Sequence, residues 1–138
     1  MFARRSLLAL AVAAGIALAA APMLAHHSRA MFEMDKNITL RGVVQEYRWQ
    51  NTHSQVVVRV GAGAADRSAV GTWTVEASAI SVMTSGGWTP KTYKFGDPIT
   101  VVVHPNKAGS SLVLLFYAIK PDGTRLYRAP HRYDGETE

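Results

Sequence analysis

The sequence predicts a mainly β protein, a small OB-like Greek-key barrel with one short helix between its third and fourth strands. Three observations carry this. From Asn37 onward apolar residues recur at every second position in short runs, with turn residues between the runs. The period changes over Ala77–Ser85 (ASAISVMTS), where Ile80, Val82 and Met83 can pack one side of a short helix that Gly86-Gly87 ends. Gly42 interrupts the first run, and a strand of a small barrel must bend somewhere to join both halves of the wall. A small open sandwich is the alternative for the same strands.

The elements follow in order. The first strand runs from Asn37 to about Trp49, with Ile38, Leu40 and Val44 on one face. Asn51-Thr52 makes a turn. Ser54 to Val60 is the second strand, with Val56, Val58 and Val60 on one face and Gln55 and Arg59 on the other. Gly61 to Asp66 is a flexible loop. Val70 to Glu76, containing Trp73 and Val75, is the third strand. After the helix, Pro90 to Phe95 leads into the turn Gly96-Asp97-Pro98. Ile99, Val101 and Val103 point inward from the fourth strand, Ile99 to His104, and Pro105 stops it. Leu112 to Ile119 is apolar on both faces, as a strand buried between layers is. Pro121-Asp122-Gly123 turns the chain, and Thr124 to Arg128 returns as a hairpin arm.

The first 25 residues read as an export signal. Arg4 and Arg5 precede an apolar run from Leu7 to Ala21, Pro22 breaks it, and Ala25 suits the last position before a cut. Cleavage there makes His26 the first residue and leaves 113 of the 138 residues, enough for one core. The expected organisation is a signal peptide at 1–25, an N-terminal arm at 26–36, a β-barrel domain at 37–130 and a flexible tail at 131–138. An apolar run of about 15 residues is short for a spanning helix, so no membrane span is expected after cleavage. Arg4-Arg5-Ser6-Leu7-Leu8 also resembles a twin-arginine signal, with general secretion the favoured route.

Composition excludes several function classes. The chain has 15 Lys+Arg against 10 Asp+Glu, and two of the arginines belong to the signal, which lowers the net charge from +5 to +3. The remaining cations are scattered, without the Lys/Arg run that displaces counterions from nucleic acid, so nucleic acid is not an expected partner. The absence of cysteine excludes disulfides, thiol catalysis, thiolate metal sites and a lipid-modified cysteine at the cut.

His26-His27-Ser28, Met31-Phe32, Thr39-Leu40-Arg41-Gly42-Val43-Val44, Trp49-Gln50-Asn51-Thr52-His53-Ser54, Gly87-Trp88, Gly96-Asp97 and His104-Pro105 occur in that order. In them the chain resembles a family of small exported bacterial proteins catalogued as a domain of unknown function, number six-one-five-two. The family pattern usually has Pro where this chain has Thr52, Ser-Pro where it has Ser78-Ala79, and two glycines near Ser110-Ser111. The resemblance implies export and a Gram-negative source, hence the periplasm. It implies no activity, so function must be argued from the site.

Four of the five histidines fall where a barrel could gather them: His26 and His27 on the arm, His53 at the mouth of the first hairpin and His104 at a strand end. An N-terminal His26 offers an amine and an imidazole that chelate one metal ion, and imidazole suits copper or zinc. His53 and His104 are the candidate further ligands, with His27 as a spare. The structural alternative makes the pair a surface feature and His104 a hydrogen-bonded strand end. Met31 and Met34 could serve copper(I), or Met31 and Phe32 could pin the arm to the barrel.

Tyr47, Trp49, Trp73 and Trp88 could stack a ligand, but filling a small core is the favoured role. Glu46 and Glu76 could act as a hydrolytic carboxylate pair, though no second signature supports it. Ser28, Ser54 and Ser78 lack a nucleophile elbow. The expectation is a periplasmic, non-enzymatic binding or accessory module for an unknown small ligand or envelope protein. The alternative is a copper- or zinc-binding protein that uses His26.

Overall fold

A computed structural model describes residues 27–129. The strands are β1 (Ile38–Arg48), β2 (Gln55–Val60), β3 (Gly71–Glu76), β4 (Pro98–His104), β5 (Leu112–Ile119) and β6 (Arg125–Tyr127). They pair in the order β3-β2-β1-β4-β5-β6, and a parallel pairing of β3 with β5 closes five of them into a barrel, with β6 added on β5. The helix Ile80–Ser85 lies between β3 and β4, as the change of period predicted. The protein is thus mainly β with an OB-like barrel.

Alternation builds the interior. Leu40 and Val44 from β1, Val56, Val58 and Val60 from β2, Val75 from β3, Ile99, Val101 and Val103 from β4, and Val113 and Leu115 from β5 share one core with Met83 of the helix and Trp88. Trp49 and Trp73 pack partly buried against it, so the tryptophans fill and seal. Trp88 is fully buried and donates its indole N–H to Tyr127 O at 2.9 Å.

β1 reaches two partners because it is long. Ile38 to Val43 pair with β4, and Val43 to Arg48 pair with β2. The bulge falls at Gln45, between Val44 and Glu46, three residues beyond the glycine expected to mark it. Gly42 has a different task. A Cβ there would collide with the carbonyl oxygen of Arg59 and sit 2.9 Å from Val58 Cγ1. Glycine lets the β2 backbone come close at the point where β1 changes partner.

The two apolar faces of β5 have a specific cause. Phe32, Val102 and Leu114 are buried yet lie outside the interior cluster, so a second apolar layer covers the outer ends of β4 and β5. Phe32 bridges to Asn106, and Glu33 N donates to Pro105 O at 2.9 Å. Phe32 therefore does the pinning, whereas Met31 is exposed.

Other boundaries shift for local reasons. Ala77 N donates to Ser54 O and Ser54 N to Ser78 O, which extends the β2–β3 ladder and delays the helix from Ala77 to Ile80. Asp66 accepts from Ser68 N and starts a 3-10 turn, Arg67–Ala69, so β3 begins at Gly71. The described residues before Phe32 carry one helical turn, His27–Ala30. The expected signal peptide and the tail at 131–138 lie outside the described residues. No helix among the described residues is long and apolar enough to cross a membrane.

Candidate functional site

The turn between β1 and β2 shows what its polar residues do. Asn51 Oδ1 accepts from Ile80 N at 3.0 Å and caps the helix, whose own N-cap, Ala79, offers no side chain. Ser54 is fully buried and donates its hydroxyl to Gln50 O at 3.2 Å. These two residues strap the first hairpin to the β3–helix connection. His53 remains for other work. Its Nδ1 lies 2.6 Å from Glu76 Oε1, and its side chain is partly exposed. With Nδ1–H donated to the carboxylate, Nε2 stays available, the arrangement that orients ligating imidazoles in metal sites.

His104 is differently placed. It is buried, its Nδ1–H donates to Lys36 O at 3.0 Å, and its ring lies against Phe116 with centroids 5.4 Å apart. One cross-strand row runs Arg48–Gln55–Glu76–Leu114–His104 around the barrel. Leu114 stands between Glu76 and His104, whose backbones are two strand spacings, about 10 Å, apart. His53 and His104 thus serve different partners. His27 lies in the turn His27–Ala30, and His26 and His131 fall outside the described residues. Among the described residues no three His, Cys, Asp or Glu side chains cluster to hold a metal ion.

The remaining candidates separate. Glu46 is held by Arg48 and Glu76 by His53, so the two carboxylates have different partners. Tyr47 donates its hydroxyl to Thr89 O at 3.0 Å, and burial pushes its pKa far above the ordinary tyrosine value. Tyr93 is buried against Tyr47 and Trp88, and its hydroxyl has no hydrogen-bond partner among the described residues.

Register assembles a face that residue spacing alone did not reveal. Arg59, Val43 and Pro98 form one outer row, and Arg41, Thr100, Ile119 and Arg125 another. Lys120 follows Ile119 into the next turn. Arg41 stands between two open grooves. One, of about 480 Å³, is lined by Thr39, Val60, Gly61, Asp66 and Ala69. The other, of about 310 Å³, passes Gly42, Pro98, Thr100 and Ile119 to Lys120. Nearby carboxylates are engaged. The Ser68 hydroxyl, then its backbone N–H, holds Asp66 below the ordinary carboxylate range. Asp122 is lowered first by Thr124 N–H, and Glu46 first by its hydrogen bond from Arg48. The outward phase of Arg41 and Arg59, opposite to Leu40 and Val58, is legible in the sequence. Their meeting depends on which strands pair.

One of the comparisons with known proteins finds a match. The pattern of a family of unknown function, DUF6152, matches residues 12–114, a span that holds β1 to β4, the helix and the start of β5. No curated protein and no solved structure matches the chain. With most of its length matched, barrel walls and both grooves' principal strands included, the chain belongs to DUF6152, a family of unknown function.

Proposed function

We propose that the chain is an exported, non-enzymatic binding module of the periplasm that holds a small anionic ligand against the outer face around Arg41. The observation that carries this reading is the position of Arg41 on the ridge between two grooves, one of which ends at a second cation, Lys120. A guanidinium presents a planar fork of donors suited to phosphate or carboxylate oxygens. Gly61 and Gly63 on the rim carry no Cβ and have open space around them, so a ligand can approach the backbone closely. Export rests on the leader pattern at 1–25.

Calorimetric titration of inorganic phosphate tests the reading. Saturable binding is expected, and Arg41→Gln weakens it about tenfold or more, because a charge-assisted hydrogen bond contributes about 1.5–3 kcal/mol. Equal affinity in the wild type and Arg41→Gln contradicts it.

The His53–Glu76 pair favours a second reading, copper or zinc binding. An imidazole whose Nδ1 is fixed by a carboxylate is poised to ligate through Nε2. Separately, a chain trimmed after Ala25 would carry its own amine-plus-imidazole chelate at His26, with His27 beside it. Copper(II) titration of the trimmed chain, and of one with an extra residue before His26, tests the chelate. Tight binding lost on extension supports it; equal weak binding in both forms removes it.

A further inference from the structure

Phe95 is 75 % exposed, the most exposed large apolar side chain among the described residues. It is held in place. Gly96 N donates to Val44 O and Val44 N donates to Asp97 O, both at 2.9 Å, which ties the loop edge to edge to β1. Lys94 N donates to Asp97 Oδ2 at 2.9 Å, and Gly96 takes φ +87, so the turn closes with Phe95 at its tip. Val43, 40 % exposed, lies beside this loop on the outer row with Arg59 and Pro98. Lys94 precedes this apolar tip in the chain, the outer row beside the loop carries Arg59, and the next row carries Arg41. Of the carboxylates on this side, Asp66, Asp97 and Asp122 accept backbone N–H groups and Glu46 is paired with Arg48.

We propose that this face docks on an anionic phospholipid bilayer, with Phe95 entering the headgroup layer and the surrounding cations meeting lipid phosphates. The proposal rests on the reading of the Arg41 face as an anion site and names the source of the anion. A free phosphate has use for the grooves and cations but none for a phenyl ring projecting from a fixed turn. A nucleic acid gains from rings that lie flat along a basic stripe. A bilayer uses both features at once: apolar area buried at the interface, and cations drawn to a negative surface, each worth about fivefold in partitioning.

Co-sedimentation of the chain as the cell processes it tests the proposal, using vesicles of phosphatidylglycerol with phosphatidylcholine and vesicles of phosphatidylcholine alone. Binding to the anionic vesicles is expected, largely lost at about 0.5 M salt because exposed charges are then screened. Phe95→Ser, a change at an exposed tip, weakens vesicle binding about tenfold and leaves the titration with inorganic phosphate unchanged. Arg41→Gln weakens both. Equal binding to the two vesicle types, or unchanged binding of Phe95→Ser, overturns the docking. Phosphate binding without vesicle binding also overturns it while the anion site stands, and binding of neither removes both. Single-stranded RNA bound as tightly as vesicles, and indifferent to Phe95→Ser, likewise overturns it and marks a general polyanion surface.

Discussion

His104 shows how one residue's role turns on its neighbours. At the end of a strand before Pro105 it reads as a hydrogen-bonded structural group, with a metal ligand as the other reading. In the fold it is buried at the second apolar layer, with Phe116 against its ring and Nδ1–H donated to the Lys36 carbonyl. That layer depends on Phe32, 72 positions earlier in the chain, so residue spacing could not reveal it. Tyr93 offers a sharper test. Burial first, and then the charge of Asp97, raise its hydroxyl pKa above the ordinary value of about 10. The folded state therefore holds the proton more tightly than the unfolded chain. Its contribution is intact below about pH 10 and is lost as pH rises through the raised value. Tyr93→Phe removes both this alkaline loss and a buried hydroxyl without a described partner. Urea unfolding of the variant is expected to show equal or greater stability at neutral pH, by about 1 kcal/mol, and a smaller decline above pH 10, with Tyr47 supplying the remainder. A lower midpoint at neutral pH would show that the hydroxyl is bonded after all.

At the scale of elements, strand positions were legible because the barrel interior demands strict alternation. Val56, Val58 and Val60 predicted β2, and Ile99, Val101 and Val103 predicted β4, with one residue or fewer of error at the ends. Helix and bulge boundaries were less legible, since hydrogen bonds from distant residues set them. Ser54 holds Ala77 and Ser78 extended, and Asn51 supplies the cap that Ala79 lacks. Gly42 was noticed for the right reason, a bend, but acts through close approach to Arg59. Gly42→Ala is accordingly expected to destabilise by about 3 kcal/mol, at the upper end of overpacking, since rigid backbone must yield. Gly63→Ala, with open space around it, is expected to change stability by no more than about 0.5 kcal/mol. Chemical denaturation of the two variants checks the contrast. Equal costs would show that β2 can move away from β1.

For the whole molecule, the modest excess of Lys and Arg over Asp and Glu suggested no particular partner, because the cations are scattered along the chain. Strand pairing changes that by putting Arg59 and Arg41 on adjacent outer rows, the second of which runs on to Arg125. The charge pattern belongs to the topology rather than to any segment. His53 and His104 behave in the opposite way, since folding gives each a separate partner. Backbone amide NMR with added inorganic phosphate distinguishes these two surfaces most directly. Saturable shifts at Arg41, Gly42, Thr100 and Lys120, with His53 and Glu76 unmoved, are expected. Shifts centred on His53 and Glu76, or none at the Arg41 grooves, would contradict the anion-binding face.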